Sequence, residues 1–121
     1  MTIDKEFRNP TSNETRIVER LLTANFTGKQ GIARQLANYQ VRTVDEDGSF
    51  EVRVPANTEP AIVNKTIPVE GQGVDLDGTP VHFLLHIQNG LVKELEIYKA
   101  DASPILRMPP PEDLEIIVLS P

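Results

Sequence analysis

The stretch that most constrains this chain is VHFLLHIQNGLVKELEIY, residues 81–98. Two strand-like runs flank Asn89-Gly90, a dipeptide suited to the left-handed torsions of a tight hairpin turn. Two alignments are open. A two-residue turn with regular pairing sets Phe83 opposite Glu96 and Leu85 opposite Glu94, which brings carboxylates against apolar side chains. A three-residue loop over Gln88-Asn89-Gly90, with Gly90 left-handed as a bulge, instead sets Ile87 opposite Leu91, Leu85 opposite Lys93, Phe83 opposite Leu95 and Val81 opposite Ile97. Side chains alternate along a strand, so a one-residue slip turns its whole apolar set to the wrong face. Burying two carboxylates costs on the order of several kcal/mol more than letting one lysine stem reach water. The bulged alignment is therefore expected.

In that alignment His82, Leu84 and His86 share the other face with Val92, Glu94, Glu96 and Tyr98. His82 lies opposite Glu96, roughly 5 Å apart at Cβ. His82, His86, Glu94, Glu96 and Tyr98 thus form the candidate binding face. A His–Glu pair beside a tyrosine has the groups for general acid–base work. Ordinary polar alternation produces the same pattern as a solvated ion pair, so no residue is assigned as catalytic. No metal site is assigned either. His82 and His86 are ~13 Å apart along an extended strand, too far to share one ion. A site on His82 and Glu96 lacks a third ligand.

The rest of the chain reads as helices, then strands. Thr11 and Glu14 have the spacing of a capping box. Ile17, Val18, Leu21 and Leu22 follow at helical period, and Gly28 is the expected stop. A second helix is expected over about 30–38 with Ile32, Ala33, Leu36 and Ala37 inward, joined to the first by a short link, Thr27 to Lys29. Beyond Gln40 the period becomes two. Tyr39, Val41 and Thr43 pair with Phe50, Val52 and Val54 across the loop Asp45-Glu46-Asp47-Gly48, which sets Arg42 against Glu51. Residues 61–69 read as a third strand, with Pro68 arguing for an edge or a bulge. Asp77-Gly78 marks another hairpin, Pro109-Pro110-Pro111 an extended polyproline-like break, and EIIVL at 115–119 a last strand. The expected class is α+β: two N-terminal helices packed on one face of a mostly antiparallel, five- or six-stranded meander sheet. Residues 1–10 read as a flexible arm, and residues 11–121 as one domain.

Several chemistries find no support. Asp45–Gly48 and Asp75–Gly78 resemble calcium loops, but Thr43 and Gly73 stand where a first oxygen ligand belongs, and Val54 and Leu84 where the closing glutamate belongs. Gly71-Gln72-Gly73 has neither the helix nor the lysine of a phosphate loop, and reads as a bend or bulge. No nucleophile motif is present, and Asp101-Ala102-Ser103-Pro104 reads as an Asx-type turn. With no cysteine there is no disulfide or thiolate site, and no cofactor is implied. The net charge of -6 is uneven: residues 1–40 carry +2 and the remainder -8. An acidic body repels phosphate backbones, so no nucleic-acid partner is expected. The absence of a leader-like or spanning apolar run points to a soluble, cytoplasmic protein without a membrane partner.

Phe26-Thr27-Gly28, Gln35-Leu36, Val44 to Ser49, Asp77 to His82, Leu85-His86, Asn89-Gly90, Glu94 to Tyr98 and Asp101 to Ile105 together resemble a small uncharacterised bacterial domain family of unknown function, over about residues 15–119. The resemblance implies a bacterial origin and no particular activity. The expected role is a non-enzymatic binding or protein-interaction module. EIIVL is apolar on both sides, so the strand Glu115–Leu119 is either central and covered on both faces or presents one face to a second copy in a homodimer. The alternatives are a small hydrolase or isomerase using the His82–Glu96 pair, and an acidic immunity-type protein that masks a basic target.

Overall fold

A computed structural model of the chain describes residues 3–119. Helix α1 (Ser12–Leu21) begins where the sequence places it. Thr11 Oγ1 accepts the Glu14 N–H at 3.1 Å and Glu14 Oε1 accepts the Thr11 N–H at 2.8 Å. It stops nearly two turns before Gly28, at Leu21, where the Thr23 hydroxyl donates to the Arg20 carbonyl at 2.6 Å. Gly28 instead caps the start of α2 (Lys29–Gln35) with φ of 87°. A Cβ there would sit 2.5 Å from the Ile62 carbonyl oxygen, so the position needs glycine twice over. In α2, Ile32 is buried as expected, but the helix ends before Ala37, which is exposed; the inward polar residue is Gln35. Its Nε2 donates to the Gly90 carbonyl at 2.8 Å, and its Oε1 accepts the Val92 N–H at 2.9 Å. One side chain thereby fixes the helix against the hairpin turn.

Six antiparallel strands follow: β1 (Gln40–Thr43), β2 (Phe50–Arg53), β3 (Val69–Val74), β4 (Pro80–Gln88), β5 (Leu91–Lys99) and β6 (Glu115–Val118). Two helices and this open antiparallel sheet make an α+β fold. The spatial order is β1-β2-β5-β4-β3-β6, so β5 lies beside β2 and the sheet is not a sequential meander. Inward side chains from the sheet, among them Phe50, Phe83, Leu85, Leu95 and Ile97, join Ile17, Leu21 and Ile32 of the helices in one core cluster. No helix among the described residues is long and apolar enough to cross a membrane.

The first hairpin matches its expected register, with Val41 opposite Val52, Thr43 opposite Phe50, and Arg42 bonded to Glu51 at 2.9 Å. The strand expected over 61–69 is not formed. That segment is irregular, and its polar groups are taken elsewhere: Ala61 N–H donates to the Gly90 carbonyl at 2.8 Å, and the Thr66 carbonyl accepts the Ile87 N–H at 2.8 Å. β3 starts only after Pro68, in the interior of the sheet rather than at an edge. Gly71 and Gly73 are regular strand positions, not a bend. A Cβ on Gly73 would meet Pro109 Cβ at 2.6 Å, so the missing side chain admits the segment before η1 (Pro111–Asp113), a 3-10 turn that begins at the last proline of the expected break. The EIIVL strand is not covered on both faces: β6 lies at the sheet edge, half-exposed, and pairs with β3.

The first ten residues are not a free arm over their described part. Asp4 N–H donates to the Thr43 carbonyl, Arg8 and Val41 exchange both backbone bonds, and the Asp4 carboxylate accepts the Thr43 N–H at 3.0 Å. The Arg8 guanidinium reaches Asp4 at 2.8 Å, both oxygens of Glu14 at 2.7 and 3.0 Å, and Thr43 Oγ1 at 2.8 Å. Phe7 packs under the guanidinium groups of Arg42 and Arg53, 4.7 and 4.4 Å from its ring centre. The contacts to β1 come from some 35 residues away in sequence, which no local pattern in the arm signals.

A second buried charge cluster sits at the far end of the sheet. Lys99 points inward opposite Val81, with its side chain 1% exposed. Its ammonium contacts Asp75 at 2.9 Å and Asp77 at 2.8 Å. Burial pushes the Asp75 carboxyl upward, but hydrogen bonds from Leu106 N–H, Lys99, Leu76 N–H and Arg107 N–H outweigh it and hold the carboxyl well below the usual range. The Asp75–Gly78 segment is a turn, as expected, and its carboxylates bind a lysine of the same chain.

Candidate functional site

The site is set by the register of β4 against β5. The turn is the two-residue Asn89-Gly90 form, with φ of 53° and 77°, and Gln88 faces Leu91. The bulge falls further along, on β5 opposite the His86–Ile87 step of β4, where Ile87 pairs with Val92 and His86 with Glu94. Lys93 is the extra residue and is exposed. The combination of tight turn and displaced bulge carries Glu94 and Glu96 to the open face, as the bulged alignment intended, by a different route and with a two-residue offset. Val92 is buried and does not belong to the open face.

The offset changes every partner. His82 lies opposite Tyr98, not Glu96. The two rings stack, centroids 4.8 Å apart at 20°. His82 Nδ1 bonds Glu70 Oε2 on β3 at 2.6 Å. His86 lies opposite Glu94 and its Nε2 bonds Glu96 Oε1 at 2.8 Å. An ionised carboxylate only accepts, so each ring carries a proton on the bonded nitrogen. The face therefore holds two separate His–Glu couples on either side of Leu84, and the single couple expected from the sequence does not form. Glu70 joins the face because β3 runs over Val69–Val74, beyond the strand expected at 61–69.

Glu94 stands apart. It lies directly opposite Glu51 on β2. Burial raises its carboxyl above the usual range, the charge of His86 pulls it back down, and Glu96, Asp45 and Glu51 push it further up. One ligand atom each from His86, Glu94 and Glu96 lies within 4.8 Å of the others. These are the residues able to hold a metal ion, and the third ligand that sequence reasoning lacked is Glu94 once His86 replaces His82.

A cleft of about 690 Å3, lined by Glu46, Asp47 and residues 102–105, lies away from this face, as do two smaller ones. One of about 470 Å3 opens between α2 and residues 55–62, lined by Arg34, Gln35 and Pro60 among others. Another of about 430 Å3 lies beside Arg8 and Glu14, walled by Ile17, Phe50, Ile97 and Met108.

Sheet order and side-chain placement together define a small open-sheet α+β domain with a polar histidine–glutamate face. The chain belongs to the family described as a domain of unknown function, DUF6984, whose model matches residues 7–109. No curated protein and no solved structure matches it.

Proposed function

We propose that the protein is a non-enzymatic binding module whose contact surface is the open face bearing His82, His86, Glu94, Glu96 and Tyr98. The observation that carries this is the composition of that face. Glu51, Glu70, Glu94, Glu96 and Glu115 alternate outward across neighbouring strands, interspersed with half-exposed Leu84, Ile117 and Tyr98. Such a surface combines apolar contact area with a negative field, and suits a basic protein partner. An acid–base role for the same histidines has less support: His82 and Glu96 belong to different couples, and the clefts described above do not contain them. The test is capture from host lysate at low and high salt, with wild type and a Glu94→Gln/Glu96→Gln/Tyr98→Ala variant of unchanged melting behaviour. The variant is expected to lose salt-sensitive partners. Equal capture by both proteins refutes the reading.

A homodimer through Glu115–Leu119 is a second proposal, favoured by an asymmetry of the sheet edges. The outward groups of Val41 and Thr43 on β1 are already bonded by the arm, whereas β6 has a strand neighbour on one side alone among the described residues. Light scattering across a concentration series is expected to show a dimer, and a mass of 13.5 kDa throughout counts against it.

A further inference from the structure

We infer that His86, Glu94 and Glu96 form a binding site for one divalent transition-metal ion, of the Zn2+ type, at the β4–β5 bulge. The inference is separate from the interaction module, and either can fail alone. It begins with backbone geometry. Glu94 and Glu96 are two apart on β5 and project from the same face, and His86 is the cross-strand partner of Glu94. A rigid hairpin therefore brings one imidazole nitrogen and two carboxylate oxygens within 4.8 Å of each other. A tetrahedral ion with bonds of about 2.1 Å needs ligand atoms about 3.4 Å apart. Closing that gap takes a rotamer adjustment of two half-buried glutamates and no backbone movement.

Charge balance points the same way. Two other groups of carboxylates hold a basic side chain of the chain itself among them. Asp4 and Glu14 have Arg8 between them. Asp75 and Asp77 have Lys99 between them. The group at the bulge gathers Glu51, Glu94 and Glu96 with Asp45 nearby, and its fixed cation, Arg42, is bonded to Glu51. Glu94 has no hydrogen bond or ion pair to any described residue, although it is half-buried and faces a glutamate across the strands. In the other two clusters a basic side chain of the chain itself sits among the acids. Here the inner carboxylates face one histidine and solvent, which is the arrangement a divalent ion completes.

The ligand set selects the class of ion. One imidazole with two carboxylates suits Zn2+, Mn2+ or Co2+ over Mg2+ and Ca2+, which take oxygen ligands throughout. Ligation through Nε2 moves the ring proton to Nδ1 and replaces the hydrogen bond from Nε2 to Glu96 with two metal bonds. The outer coordination positions face solvent. Protons compete for all three ligands, so affinity falls in acid.

The experiment is calorimetric titration of ZnCl2 into the full chain at about pH 7.5, repeated with MgCl2 and CaCl2. One Zn2+ per chain is expected, with Mg2+ and Ca2+ failing to displace it. His86→Ala and Glu94→Gln are each expected to weaken Zn2+ at least about tenfold. His82→Ala, which removes the other His–Glu couple, is expected to change it less than about twofold. Metal-free melting curves establish that each variant is folded. A second readout uses Mn2+ as a paramagnetic probe: amide resonances of residues 85–87 and 93–97 are expected to broaden before those of β6. The inference is overturned if Zn2+ binds more weakly than about 1 mM. It is also overturned if His82→Ala weakens binding as much as His86→Ala, or if broadening centres elsewhere.

Discussion

Replacing Arg8 with methionine keeps the bulk of the side chain and removes its fork of donors. In the native protein that fork takes both oxygens of Glu14, whose residue is 9% exposed, and ties the N-terminal arm to α1 and β1. Removing one partner of a buried pair costs about 3–5 kcal/mol, mostly because the other charge stays buried. The Arg8 side chain is 33% exposed, so water recovers part of this, and a loss of about 2–3 kcal/mol is expected at neutral pH. At ~4 °C per kcal/mol for a domain of this size, the melting temperature should fall by about 8–12 °C. The pH dependence is the sharper test. Burial pushes the Glu14 carboxyl upward, but hydrogen bonds from Arg8 and the Thr11 N–H, with the charge of Arg8, bring it below its ordinary 4.5. A depressed carboxyl stabilises the fold fully above 4.5 and loses that contribution as pH falls through the lower folded value. Without Arg8 burial dominates, the carboxyl rises, and the variant gains relative stability as Glu14 takes up its proton. Urea unfolding from pH 7 to pH 3 should therefore show the two proteins converging in acid. A constant offset across that range would refute the reasoning, because it would mean that Arg8 acts through packing and not through Glu14.

Other substitutions probe the fold and the site. Gly73→Val should cost about 1–3 kcal/mol, since a Cβ there meets Pro109 and Leu114 at 2.6 and 3.0 Å; chemical denaturation checks it. Ser49→Ala should cost about 1–3 kcal/mol by the same assay, because the buried hydroxyl donates to the Ile97 carbonyl and accepts its N–H where β2 no longer pairs with β5. Gly90→Val should lose at least about 2 kcal/mol, combining left-handed strain with a Cβ 2.7 Å from the Ala61 carbonyl oxygen. A double-mutant cycle on His82 and Tyr98 should return a coupling of about 0.5–1.5 kcal/mol if the stacked rings interact as placed.

Legibility in the sequence followed the range of the forces involved. The capping box and the β1–β2 hairpin were readable because both are set by residues a few positions apart. The face on which Glu94 and Glu96 lie was also readable, because alternation and the cost of burying carboxylates decide it locally. Their partners were not. A bulge at Val92–Lys93 has no residue signature; it shifts pairing by one, and with the tighter turn it moves His82 from Glu96 to Tyr98. Lys99 carries no local signal of burial, and it is buried because Asp75 and Asp77 arrive from the β3–β4 turn. The apolar run at 61–69 looked like a strand, yet Gln35 and the Gly90 carbonyl engage that segment from α2 and the hairpin turn. Contacts of that kind depend on the finished topology, which no local period reveals.

The strapped margin at β1 has a consequence for how many copies could ever join. A sheet with two bare margins recruits new strands indefinitely and becomes a fibre. Here Asp4 and Arg8 occupy one margin, so pairing through β6 would unite two chains and leave sheathed borders facing outward. In such a pair the strap would make growth self-terminating, and cutting away Asp4 to Arg8 should then open the assembly to a polymer, visible as scattering that climbs with time.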